Sequence, residues 1–154
     1  CIHVARIRKI LVAYDGSPQS KEALDWAIDL SLPSKAQVCV AKVIEAMSIG
    51  EMTTLYEAGS SDDLVAYIEE VKETDRRLLE DAMATVGQRK GVAITTALLN
   101  GNIAAALIKY AKENDMDMIV AGTKGHGVLE GLLMGSVTRN LVSLSPLPVL
   151  VVKD

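Results

Sequence analysis

Along this chain, short runs of apolar residues alternate with stretches whose apolar residues recur at helical spacing. Ile7 to Tyr14 (IRKILVAY) is the first run, rich in Ile, Leu and Val and closed by Asp15-Gly16-Ser17-Pro18. A run apolar on both faces suits a central parallel strand covered by helices on each side. Ser17 followed by Pro18 predicts a helix start, because a hydroxyl caps free amides and proline lacks an N–H that would be orphaned there anyway. Leu24, Ala27, Ile28 and Leu32 follow at helical spacing, and Pro33 ends the helix. Ala36 to Ile44 (AQVCVAKVI) then repeats the strand pattern.

Residues 45–61 keep no clean period and hold two glycines, which predicts a long, mobile surface loop. From Asp62 to Gln88 the spacing predicts a long helix, with Leu64, Ile68, Val71, Leu78, Ala82 and Val86 as its apolar stripe. Its charged side reads as a solvated surface. Gly91 to Leu99 is a third strand, and Asn102 caps a helix over Ile103 to Asn114. Met116 to Ala121 is a fourth strand, Ser136 to Leu144 a further helix, and Val149 to Val152 a fifth strand. Strand and helix alternate throughout, which implies right-handed crossovers and a parallel sheet with helices on both faces. The expected fold is therefore α/β: a three-layer, doubly wound, five-stranded parallel sheet, Rossmann-like, in the order 3-2-1-4-5. Residues 1–154 are expected to form one domain, with residues 1–6 frayed. Such sheets bind ligands outside the carboxyl ends of their strands, where the strand order reverses. That directs attention to the ends of the first and fourth strands.

Composition narrows the function. The formal charge is −4, which offers no electrostatic reason to bind nucleic-acid backbones. Aromatic residues make up only 3%, too few for base-stacking surfaces. No apolar run reaches the roughly 18–20 residues of a membrane-spanning helix, so no membrane partner is expected. Two cysteines cannot build a disulfide framework or a four-ligand zinc site. Cys39 reads as a small buried hydrophobe, and Cys1 as a cloning remnant in preference to a lipid-anchored terminus. The expected compartment is the cytoplasm. His3 carries no role.

The chemistry concentrates after the fourth strand, where five glycines (Gly122, Gly125, Gly127, Gly131 and Gly135) fall within fourteen residues. A P-loop is excluded because no Gly-Lys-Ser/Thr occurs, and Gly125, Gly127 and Gly131 are spaced one residue too far for G-x-G-x-x-G. The physical requirement is the same in all such loops. Phosphates must approach the backbone closely, which glycine permits, and amides at a helix start must point at them. Gly135-Ser136 opens a helix, and Gly122 and Gly125 stand at the carboxyl end of a central strand. The competing reading is a surface loop whose glycines serve only turns.

Gly122, Gly125, Gly135 and Ser136 match G-x2-G-x9-G-S, and the chain resembles the ATP-binding branch of the universal stress protein family. The resemblance also covers Lys9 to Ser17 (KILVAYDGS), the turn at Gly101 and the closing Pro148 to Val152 (PVLVV). It implies that Asp15 lies by the ribose or a magnesium ion, with Ala13 beside it. Val43 would meet adenine, and Gly122, Thr123, Lys124, Gly125, His126, Gly127 and Val128 would wrap ribose and phosphates. Gly135, Ser136 and Val137 would hold the phosphates. Asp15 has a plainer alternative as a turn residue that accepts backbone hydrogen bonds. Lys124 and His126 could donate to phosphate or face water, and Arg139 could screen phosphate or pair on the surface.

Three functions follow as alternatives. The first is a regulatory, stress-response module that binds ATP with Mg2+. The second is a slow ATPase or autophosphorylating enzyme, for which the chain offers no Walker lysine and no clear water-orienting base. The third is a structural dimer with a vestigial site. The apolar fifth strand lies at a sheet edge, which invites pairing, and the family implies a homodimer through Val149 to Val152.

Overall fold

The computed structural model describes residues 6–45, 49–59, 61–86, 91–124 and 134–153. Five strands, β1 (Lys9–Ala13), β2 (Gln37–Ile44), β3 (Ala93–Asn100), β4 (Met118–Gly122) and β5 (Val149–Val152), form one parallel sheet in the order β3-β2-β1-β4-β5. Five helices accompany them: α1 (Pro18–Ser31), α2 (Ile49–Ala58), α3 (Ser61–Val86), α4 (Ile103–Glu113) and α5 (Ser136–Leu144). The doubly wound order is the expected one.

Alternation along the central strands divides the core into two layers. Ile10, Val12, Val38, Val40 and Val120 face one side, where α1 and α3 cover them. Leu11, Cys39, Ala41, Ile119 and Ala121 face the other, under α4 and α5. Central strands buried on both faces read as near-continuous apolar runs. β3 and β5 are the edges, and β3 is correspondingly the more exposed and polar.

The expected surface loop over 45–61 is corrected, since residues 49–58 form α2. Gly50, Thr53 and Thr54 lower its intrinsic helix propensity, which hides it in the sequence. Packing against α3 supplies what propensity lacks. Gly59 stands just past its end, where helices commonly stop.

The apolar stripe expected along α3 also needs correction. Its buried residues among those described are Leu79, Ala82 and Val86, whereas Ile68 is 37% exposed. Leu79 was absent from the expected stripe. The helix has 26 residues against 14 in α1, an excess of roughly 18 Å at 1.5 Å per residue. Its described buried residues lie in the second half, and Val65 and Tyr67 of the first half remain exposed.

At the amino ends of the strands, the Asp117 carboxylate accepts from the Arg8 and Lys9 amides at 2.7 and 2.9 Å, tying β4 to β1. Beside them the Cys39 thiol donates to the Tyr110 hydroxyl at 3.6 Å. Burial first, and then this contact, pushes Tyr110 up to about 12. A tyrosine raised in the folded state favours folding fully below its unfolded value near 10. That contribution is lost as pH rises through the folded value. Thermal unfolding should therefore show a loss of stability between about pH 10 and 12 that is shallower in Tyr110→Phe. An unaltered slope in that variant would contradict the assignment.

Candidate functional site

The crevice opens where β1 and β4 end side by side, the point at which the chain turns away in both directions. It is a cavity of about 270 Å³. Its apolar wall comes from Ala13 at the end of β1, Ala41 and Val43 on β2, Ile103 and Leu107 on α4, and Val137 on α5. Asp15, Lys42, Glu45, Lys124, Ser136 and Thr138 add polar groups. A groove between the starts of α4 and α5 extends it past Glu45 to Asn102 and Asn140.

The turn Asp15-Gly16-Ser17-Pro18 forms one lip. Asp15 Oδ1 accepts the Ser17 amide at 2.9 Å, so the carboxylate is an Asx-turn residue and a crevice residue at once. Ser17 caps α1 as expected, accepting the Ser20 amide at 3.2 Å. Gly16 has φ +82°, and a Cβ there would run into Leu78 of α3. Tyr14, buried against this lip, is raised above its ordinary value by burial, then by Asp15, Asp81 and Asp25.

The opposite lip is the start of α5, held to the end of β4 by two hydrogen bonds. The Gly135 amide donates to the Thr123 carbonyl at 2.8 Å, and the Thr138 hydroxyl donates to the Gly122 carbonyl at 2.7 Å. The Thr123 amide donates to the Val152 carbonyl at 3.1 Å, which fixes the same corner to β5. Thr123 is 5% exposed and does not line the cavity, so it holds the corner together. α1 and α4 begin at side-chain caps, Ser17 and Asn102, whereas Gly135 at the start of α5 makes no side-chain cap bond. The first-turn amides of a helix need partners from outside it, and here their own cap residue provides none.

Of the sequence-predicted site residues, Ala13, Asp15, Val43, Gly122, Lys124, Gly135, Ser136 and Val137 meet around one cavity. Gly125, His126, Gly127 and Val128 lie outside the described residues. Arg139 is exposed, its guanidinium donating to the Met134 carbonyl at 3.4 Å, and it is not part of the cavity wall. Gly122 has a second role that its place in the loop hides. A Cβ there would lie 2.8 Å from Gln19 Cβ and 3.0 Å from the Gln19 carbonyl oxygen, so the bare Cα lets α1 reach β4.

Sequence reasoning missed Lys42, Ile103, Leu107 and Thr138. Lys42 carried a signal, as the one charge inside the β2 run. Ile103 carried another, as the first residue after a helix cap at the carboxyl edge of the sheet. Among the described residues no group of three or more His, Cys, Asp or Glu is placed to hold a metal by protein ligands alone. No helix among them is long and apolar enough to cross a membrane.

The model of the universal stress protein family matches residues 6–153. The universal stress protein YxiE of Bacillus subtilis is 32% identical over 146 residues, covering 94% of this chain and 98% of its own. The solved structure of protein MJ0577 superposes with a TM-score of 0.78 at 24% identity, over 97% of this chain and 98% of that one. A universal stress protein solved in complex with cAMP superposes at 0.71 with 22% identity, over 97% and 98%.

Proposed function

Since this chain belongs to the universal stress protein family, we propose that its crevice binds an adenine nucleotide, ATP with Mg2+, as a regulatory stress-response module. The observation that carries the reading is the glycine-capped start of α5 at a half-apolar, half-polar cavity. A helix start of this kind favours anions through its amides and its dipole. The apolar wall with a few convergent polar groups is the usual form of a small-molecule site. A relative of the same fold solved with cAMP supports an adenine nucleotide as occupant.

In this reading the base lies by Val43 and the ribose by Asp15, with Ala13 beside it. Gly135, Ser136 and Val137 hold the phosphates, the last two through their amides and Gly135 by leaving room for the approach, helped by Lys124. Gly122 to Val128 complete the loop, as the resemblance implies. Asp15 fits a magnesium ion held mainly by phosphate oxygens, the usual arrangement for Mg2+, because no group of three or more ligating side chains is gathered among the described residues. The ion would neutralise phosphate charge there.

We further infer one domain over 1–154, acting in the cytoplasm as a homodimer through β5, without nucleic-acid or membrane partners. β5 pairs on one side only, with β4, and an unpaired edge is a template for a second chain.

Freshly purified protein, denatured and analysed by mass spectrometry, should release an adenine nucleotide in near-stoichiometric amount. Protein stripped of it should give saturable heats with ATP in a calorimeter. Absence of both, with AMP and ADP equally silent, would refute the proposal.

A further inference from the structure

Among the described residues the strand β5 is unpaired on its outer side, and the apolar surface beside it includes the largest side chain in the protein. The Pro148 and Val152 carbonyls accept from Ile119 and Thr123, on β4 and just beyond its end. The alternation of a parallel ladder then turns the amides and carbonyls of Val149 and Val151 outward. Over one face of this edge lies α1, packed on β1, β4 and β5. Its buried stripe is Ser20, Ala23, Leu24, Ala27, Ile28 and Ser31.

At 100° per residue, Asp25 falls on one flank of that stripe and Trp26 with Leu30 on the other. The right-handed crossover from β1 to β2 turns the Asp25 flank toward β2 and α3, on the side of the sheet away from β5. The Trp26 flank therefore faces the β5 edge, where Leu30 and Leu150 close the margin of the same apolar layer. Trp26 is the only tryptophan in the chain and is 51% exposed. On the opposite face of the edge, Val142 and Leu144 of α5 are also exposed.

Antiparallel pairing of two β5 edges would continue the sheet about a two-fold axis normal to it, an isologous contact that sets α1 beside α1. Three strand spacings, roughly 14 Å, would separate the two β4 strands beneath those helices. Helices in direct contact lie at about 8–10 Å. Because α1 packs on β1 as well as β4, its axis lies about half a spacing further out in each copy, and the gap left is about the width of one large side chain from each. We propose that Trp26, with Leu30, fills it and anchors the dimer. The inference rests on the edge pairing proposed above. Its occupant is a second copy of this chain, because outward backbone groups and apolar flanks meet along one line.

Having a single tryptophan makes the test direct. The full chain is followed across a dilution series by sedimentation equilibrium and by tryptophan emission with iodide quenching. Emission should move to the blue, and quenching should fall, in step with the dimer fraction. Trp26→Ala should keep its circular dichroism and weaken dimerisation by about thirtyfold or more, the size of an interface hot spot. Val151→Pro, which removes an outward amide, should give monomers with exposed tryptophan. A dimer whose tryptophan stays quenchable, and whose affinity Trp26→Ala leaves unchanged, overturns the anchor while leaving edge pairing intact. A chain monomeric at every concentration overturns both.

Discussion

Gly122→Val is expected to cost the fold about 1–3 kcal/mol, the range for overfilling a packed site. For a chain of this length that corresponds to a fall of roughly 2–12 °C in Tm. The clash involves backbone, since the Gln19 carbonyl oxygen and carbon lie 3.0 and 3.1 Å from the Cβ position. A flexible side chain could swing away, but here the first turn of α1 would have to lift. That turn is held by Ala23, Leu24, Ala27 and Ile28, all buried beneath it. Lifting it disturbs the lip bearing Asp15, and moving Gly122 instead disturbs its carbonyl, which accepts the Thr138 hydroxyl. Either way, one lip of the crevice shifts, and nucleotide affinity should fall along with stability. A double-mutant cycle makes the cause specific. Gln19→Gly removes the 2.8 Å Cβ contact and leaves the carbonyl in place, so it should restore part of the loss in Gly122→Ala and not all of it. Differential scanning calorimetry showing additive effects, or an unchanged Tm in Gly122→Val, would contradict this account.

The same glycine illustrates how far a sequence can be read. Its position in a glycine-dense loop was plain, but its contact spans 103 positions along the chain and exists only once α1 lies on β4. Elements whose signal is local were legible at their ends. Ser17-Pro18 marks the start of α1, and Pro146 and Pro148 bracket the turn into β5. β1, β2 and β4 were legible because burial on both faces forces unbroken apolar runs, as at Ile10, Leu11 and Val12. α2 was not, because its helicity comes from α3 and not from its own composition. The first half of α3 misled for the converse reason. Its apolar residues are spaced for burial, but Val65, Tyr67 and Ile68 stay exposed. In the crevice, Asp15 and Gly122 follow from the rule that ligands sit beyond the strand ends, Ser136 from its place at a helix start, and Val43 only from the family resemblance. Ile103 stands next to the Asn102 cap and could have been read from it, whereas Leu107 depends on how α4 leans over β2, which no local pattern encodes.

Gly135→Val should weaken ATP binding by about 2 kcal/mol or more, a loss of roughly thirtyfold. Gly135 lines the cavity, and its own amide is already committed to the Thr123 carbonyl at 2.8 Å. The residue therefore contributes room and placement more than a donor. A branched side chain at this position occupies the space through which phosphates would approach the amides of Ser136 and Val137. Gly135 already adopts φ −73° and ψ 164°, extended backbone that valine accepts readily. The fold should then survive the substitution, and the loss should appear in affinity with little change in Tm. That separates it from Gly122→Val, where stability and affinity fall together. Gly135→Ser is the informative companion. Serine is a good N-cap, and its hydroxyl would accept from the α5 first turn. It should raise stability by a few tenths of a kcal/mol, the usual gain of serine over glycine at a cap, while competing with phosphate for the same amides. Opposite signs in stability and affinity, measured by calorimetry on one sample, would mark those amides as the groups that hold the ligand. Equal affinity in all three proteins would remove the start of α5 from the site.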